Sequence, residues 1–224
     1  MKDFIDRHIQ KLEDAFVKLF QKSLEPGQKL MSYYRCALMA VETKFNILNE
    51  EFSLVHERNP IETIKTRIKT PDSIRKKLRK KGLPLTIDLI EKNINDVAGI
   101  RVICPFIDDI YVLTDCLVNQ DDVTLFEKKD YIARPKENGY RSLHLIIAVP
   151  IYLHNEKKLM KAEVQLRTIA MDFWANLEHR LRYKKDINDE TAKKIAAELN
   201  ECAETSAMLD SKMRQIRDNI ETNV

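Results

Sequence analysis

The chain has 224 residues, a formal net charge of +3, 44% hydrophobic and 33% charged residues, the profile of a soluble globular protein long enough for a sizeable core. That charge is too small by itself to argue for nucleic-acid binding, no apolar run reaches the length of a membrane-spanning helix, and the opening stretch MKDFIDRHIQKLEDAF is charged throughout, unlike a signal peptide. Cys36, Cys104, Cys116 and Cys202 lie far apart and read as free thiols of a cytoplasmic protein rather than a metal site.

In chain order, Ile5, Ile9, Leu12, Phe16 and Leu19 repeat at helical spacing, the mark of an amphipathic helix that Pro26-Gly27 breaks. A second helix carries Leu30, Tyr34, Ala37, Val41, Phe45, Leu48, Phe52 and Val55 on one face and ends at Asn59-Pro60. VAGIRVICPF (97–106) is short and β-branched, hence a strand. Residues 108–118 read as a helix with Asp108 or Asp109 as N-cap. DVTLFEKKDYIA (122–133), SLHLIIAVPIYL (142–153) and KLMKAEVQLRT (158–168) read as strands, the last two joined by a turn at His154-Asn155-Glu156. IAMDFWANLEHRLRYKK reads as a helix, and the whole as an α+β core. In the tail, Ile195, Leu199, Cys202, Ser206, Leu209, Met213, Ile216 and Ile220 form a heptad-like seam. Such a seam packs either on its own domain or against another subunit.

Three stretches could carry chemistry. KTRIKTPDSIRKKLRKK (65–81) sets nine Lys or Arg against one acid, Asp72. Thr70-Pro71-Asp72-Ser73 suits a helix start, Arg67 and Lys69 precede it on a short strand, and Lys77 and Lys80 share a helix face. A solvated basic face, a polyphosphate site and an RNA surface all fit this pattern. In NDVAGIRVIC, Asp96 precedes a strand whose apolar run Arg101 interrupts. That guanidinium either faces solvent or stacks on a base or grips a phosphate. In KKDYIARPKENGYRSLH (128–144), Asn138-Gly139 marks a turn, Tyr140 leaves it among Lys129, Arg134, Lys136 and Arg141, and His144 interrupts an apolar strand. Finally, KAEVQLRT alternates, so Lys161, Glu163, Gln165 and Arg167 share one strand face. That row is a wet sheet face or a catalytic floor. If the strands of Asp96 and Glu163 are neighbours, the two carboxylates can hold one Mg²⁺ between basic patches, which suits phosphoryl-type transfer.

RIKTPDSIRKKL, NDVAGIRVIC, PKENGYRSLHL and EVQLRTIAMDFWANLEH together resemble the synthetase domain of RelA/SpoT homologues, over roughly residues 58–185. The resemblance is to a small alarmone synthetase. It implies a nucleotidyltransferase-like mixed sheet flanked by helices, with a helical extension at 1–58, a synthetase core at 59–185 and an oligomerisation helix at 186–224. It implies pyrophosphate transfer from ATP to the ribose 3′-OH of GDP or GTP, with Mg²⁺ as cofactor, in a cytoplasmic homotetramer. By position, Arg67 and Arg101 sandwich adenine, while Lys69, Ser73, Lys77 and Lys80 meet the ATP phosphates. Asp96 and Glu163 bind Mg²⁺, and Glu163 also takes the proton of the attacking hydroxyl. Tyr140 stacks on guanine, and Lys129, Lys136, His144 and Gln165 line the acceptor site. Arg167 belongs to the matched block without a role assigned to it.

Two positions depart from the pattern. Some small synthetases form tetramers whose central cleft binds the alarmone as activator, with an aromatic residue directly after Pro-Ile-Glu. Here Pro60-Ile61-Glu62 is followed by Thr63, which argues against that regulation, and Asp172 stands where some relatives have Asn. Two other readings compete: a toxic-type relative that pyrophosphorylates the 3′ end of tRNA, and an inactive helical interaction module. The intact Lys136–Tyr140–His144 loop favours a free guanosine nucleotide, and the retained Asp96 and Glu163 argue against inactivity.

Overall fold

The structure is a computed structural model that describes residues 26–56, 58–182 and 189–222, together with Lys11 and Ala15. Of the helix expected over Ile5–Leu19 only Lys11 and Ala15 are described, both helical, and the five apolar residues that define it fall outside the described residues. Helix α1 (Pro26–His56) begins on a proline, whose fixed φ suits a first turn. Its apolar face is buried from Leu30 to Leu48, but Val55 is 64% exposed. The helix outruns the sheet it packs on, so the last position of the expected face meets water.

Five strands form one sheet in the order β1-β2-β5-β4-β3. They are β1 (Thr63–Ile68), β2 (Ala98–Cys104), β3 (Thr124–Asp130), β4 (Leu143–Tyr152) and β5 (Lys157–Thr168). Strands β2 and β5 run parallel, and every other pair is antiparallel. The sheet is therefore mixed, as the α+β expectation requires. Alternation explains its two faces. Ile100, Val102, Leu145, Ile147, Ala162, Val164 and Leu166 are buried against α1 and α4 (Ile107–Val118). Fully burying each large aliphatic contributes about 1.5–3 kcal/mol. A one-residue slip would turn all of them outward, so the register is strongly held.

Helix α2 (Pro71–Lys80) starts as expected: Thr70 is its N-cap and its hydroxyl accepts from Ser73 N at 3.3 Å. Helix α3 (Ile87–Asn93) follows before β2. Helix α4 differs from expectation at its start. Its N-cap is Phe106, and Asp109 sits three positions in, where its carboxylate accepts from Phe106 N at 3.3 Å. An acid in the first turn satisfies the free N–H groups as well as a capping side chain does. Helix α5 (Ile169–Arg182) leaves β5 directly, and α6 (Asp189–Thr222) packs along it.

Candidate active site

The second sheet face carries the polar row. The register sets Lys65 opposite Arg101, Arg101 opposite Gln165, Gln165 opposite His144 and His144 opposite Lys129. One step along, Arg67 lies opposite Gly99, and Gly99 opposite Glu163. Residues far apart in sequence thus meet because each occupies the same parity on its strand.

Two cavities open on this face. One, of about 350 Å³, is lined by Lys65, Arg67, Gly99, Arg101, Glu163 and Gln165, among others. The other, of about 400 Å³, is lined by Lys77, Asp96, Lys129, Lys136, His144 and Glu163, among others. Glu163 belongs to both. Gly99 leaves the floor of the first cavity flat between Arg67 and Glu163.

Asp96 lies at the end of the loop before β2. Its Oδ2 receives Lys69 Nζ at 2.7 Å and Lys77 Nζ at 2.8 Å. Its Oδ1 is buried and has no partner. Burial pushes the carboxyl up, but the two ammonium groups outweigh it and hold Asp96 below its ordinary value. Glu163 is also half-buried, and burial pushes it up. The imidazole of His144, with Nδ1 at 3.4 Å, and the amide of Gln165, donating at 3.0 Å, outweigh that and hold it ionised at neutral pH.

The acceptor-loop residues form an aromatic and cationic cluster. Lys136 Nζ sits 4.5 Å from the Tyr131 ring centre and 4.9 Å from that of Tyr140. Tyr131 meets His144 edge-on at 5.3 Å. The Tyr140 hydroxyl pairs with His144 Nε2 at 2.8 Å and accepts from Arg167 Nη2 at 2.6 Å. Gly139 holds the turn with φ +80°, and its amide donates to Lys136 O at 2.8 Å.

The structure brings together Arg67, Lys69, Lys77, Asp96, Arg101, Lys129, Lys136, His144, Glu163 and Gln165 around the two cavities. Ser73 and Lys80 are exposed on α2 and Tyr140 is tied up by its hydroxyl, and these three line neither cavity. Sequence reasoning missed Lys65, Lys81, Glu127 and Tyr131, all of which line a cavity. For Lys65 the signal was present: it shares the strand parity of Arg67. Asp172 lies buried where Lys65, Arg101 and Arg167 converge. Among the described residues no group of three or more His, Cys, Asp or Glu could hold a metal, so Asp96 and Glu163 stand as a pair. No described helix is long and apolar enough to cross a membrane.

A model of the region found in RelA/SpoT proteins matches residues 66–188, more than half of the chain. The chain belongs to the RelA/SpoT family. GTP pyrophosphokinase YwaC of Bacillus subtilis is 45% identical over 198 residues, 88% of this chain and 93% of that protein. The crystal structure of small alarmone synthetase 2 from the same organism matches with a TM-score of 0.77 at 43% identity, covering 87% of this chain and 100% of that one. Small alarmone synthetase 1, bound to its product pppGpp, matches with a TM-score of 0.76 at 34% identity, covering 87% and 97%. The four sequence blocks therefore identified the family correctly, and the fold with it.

Proposed function

We propose that the chain is a (p)ppGpp synthetase, which moves the pyrophosphate group of ATP to the ribose 3′-OH of GDP or GTP and releases AMP. The observation that carries this reading is that two basic cavities share one wall, and the wall is the ionised carboxylate of Glu163. A transfer between two nucleotides needs the reacting groups to meet at a base.

ATP takes the cavity of Arg67 and Arg101, whose planar guanidiniums sandwich adenine. Its phosphates run toward Lys69 and Lys77, with Ser73 and Lys80 contributing from the same helix. The acceptor takes the other cavity, which Lys129, Lys136 and His144 line, with Gln165 opposite His144 on the edge of the first cavity, and Tyr140 stacks on guanine from the adjoining loop. Glu163 accepts the proton of the 3′-OH. The freed oxygen bonds to the β-phosphorus, the bond from that phosphorus to the α–β bridging oxygen breaks, and AMP leaves with that oxygen. Lys69 and Lys77 neutralise charge as it moves.

The donor set fits Mg²⁺. Asp96 and Glu163 offer hard oxygens, Asp96 Oδ1 is buried with its valence unmet, and a pair of carboxylates is what this ion takes beside phosphates and water. When bound, it neutralises phosphate charge.

We further propose a cytoplasmic enzyme with a catalytic core at 59–185, a helical extension at 1–58 and an oligomerisation helix at 186–224 that builds a tetramer. Supporting this last point, Leu209, Met213, Ile216 and Ile220 are all exposed on α6. Light scattering at micromolar concentration reads the assembly, and a clean monomer refutes it. The activity is tested by incubating the protein with labelled ATP and GDP, GTP or tRNA, followed by thin-layer chromatography. Label on GDP or GTP is the expected result. Label on tRNA alone, or none, overturns the reading.

A further inference from the structure

Asp172 lies on the first turn of α5, next to the site but lining neither cavity. Its side chain is 8% exposed, yet it meets four donors. Oδ1 receives Arg101 Nη1 at 3.0 Å and Arg167 Nη1 at 3.3 Å. Oδ2 receives Lys65 Nζ at 2.9 Å and Asn176 Nδ2 at 3.0 Å. Both lone-pair directions on each oxygen are therefore used. Three cations around one buried carboxylate is an arrangement that surface pairing does not produce.

The two guanidiniums lead in opposite directions. Arg101 lines the 350 Å³ cavity, and its other contact, Asn176 Oδ1, is long at 3.4 Å. Arg167 is almost wholly buried and leads toward the other cavity by way of Tyr140 and His144. Its Nη2 donates to Tyr140 OH at 2.6 Å and to Gln165 Oε1 at 3.1 Å. Tyr140 OH in turn pairs with His144 Nε2, and Gln165 donates to Glu163.

We propose that Asp172 is a positioning residue, the common anchor that orients Arg101 for the ATP base and, through Arg167, orients Tyr140 with His144 for the acceptor and Gln165 beside the shared Glu163. Lys65 and Asn176 fill its remaining valences, so the carboxylate cannot rotate away from either guanidinium. One side chain outside both cavities thus sets the geometry of both substrates. The inference rests on the ATP-plus-guanosine reading of the site.

The test is titration of α,β-methylene-ATP and of GDP into wild type, Asp172→Asn, Arg101→Ala and the double variant, with steady-state kinetics and thermal melting beside it. Losing a charge-assisted hydrogen bond predicts about 10- to 100-fold weaker analogue binding in Asp172→Asn, together with a raised KM for GDP. Because Asp172 reaches the ATP cavity chiefly through Arg101, with Lys65 as the other cavity residue it holds, the double variant binds the analogue less weakly than the two single losses added together, while its GDP defect persists. Should Asp172→Asn fail to fold, Asn176→Ala serves instead. It leaves the charges in place, removes a neutral contact to Asp172 and to Arg101, and is expected to weaken the analogue about 2- to 10-fold and to raise KM for GDP, because the freed carboxylate loosens Arg167 as well. Unchanged analogue binding in either variant, or losses that add in the double variant, overturns the inference. Wild type that binds no ATP analogue overturns the functional reading instead.

Discussion

Replacing Glu163 by Gln removes the proposed base while keeping its shape. Gln165 Nε2 donates to Oε2 at 3.0 Å, and His144 Nδ1 stands 3.4 Å from Oε1. An amide accepts at one end only, so in Glu163→Gln the other end faces a donor. That mismatch costs about 1–3 kcal/mol, less than the roughly 5–15 kcal/mol that holds a domain folded. The fold survives, and the buried core face beneath is untouched. The rate does not: losing a positioned base costs about 10²–10⁴, and weaker Mg²⁺ binding adds to it. The assay is kcat for label transfer from ATP to GDP at saturating substrates, with circular dichroism to confirm the fold. A variant that keeps more than about a tenth of wild-type kcat, outside that range, refutes the assignment of Glu163 as base.

Tyr140→Ala is expected to raise KM for the acceptor far more than for ATP, on the roughly 1–3 kcal/mol scale of base stacking; equal rises for both substrates mean that the loop, not the stack, was lost. Burial pushes Asp210 up against the Thr168 hydroxyl that donates to it, so its charged form costs stability above the unfolded value near 3.9 and the cost vanishes as pH falls through that value. Asp210→Asn, whose carbonyl can still accept from Thr168, therefore raises Tm at pH 7 and gains progressively less toward pH 4, and a lower Tm at pH 7 contradicts this. Gly139→Ala adds a Cβ 2.4 Å from Ala203 Cβ at φ +80°, whereas Gly82→Ala at φ +67° meets nothing within 4 Å. Both pay about 1–3 kcal/mol of backbone strain, but only Gly139→Ala pays the clash, so differential scanning fluorimetry should show it melting lower; equal melting temperatures mean that α6 yields freely.

What could be read from the sequence depended on whether it was local. The core strand parity was legible because apolar residues alternate in β5 and its partners, and the same alternation put Glu163 and Gln165 on one face. Asp96 and Glu163 could be named as a pair only if their strands were neighbours, and the pairing of Gly99 with Glu163 supplies that condition. Tyr131 and Lys81 were not legible: each reaches the acceptor cavity through a loop or helix end whose direction no periodicity encodes. Asp172 was visible only as an odd residue in a matched block. Its meaning lies in three cations that sit at sequence distances of 107, 71 and 5 residues from it.

In the tail, the apolar repeat located a helix whose seam from Leu209 onward does not pack within its own subunit. Within the subunit α6 is buried at Ala203 and Asp210, flanked by Ser206 and Ala207, while Leu209, Met213, Ile216 and Ile220 face outward. Small and polar residues make that interface. Trp174 Nε1 donates to Leu199 O at 2.9 Å, Ser206 Oγ to Ala170 O at 3.1 Å, and Thr168 Oγ1 to Asp210 at 2.6 Å. A search for large apolar positions sees none of these. The consequence reaches the acceptor loop, because Arg141 donates to Ala203 O at 3.4 Å and to Glu204 at 3.2 Å, and Gly139 abuts Ala203. Deleting residues 190–224 therefore does two things at once. It removes the outward apolar stripe, which lowers the oligomeric state in light scattering. It also takes the support from beneath Gly139 and Arg141, so KM for GDP rises while that for ATP, whose cavity α6 does not line, changes little. A truncated chain that binds GDP as tightly as the full one would show that the loop holds its own shape, and that α6 serves association alone.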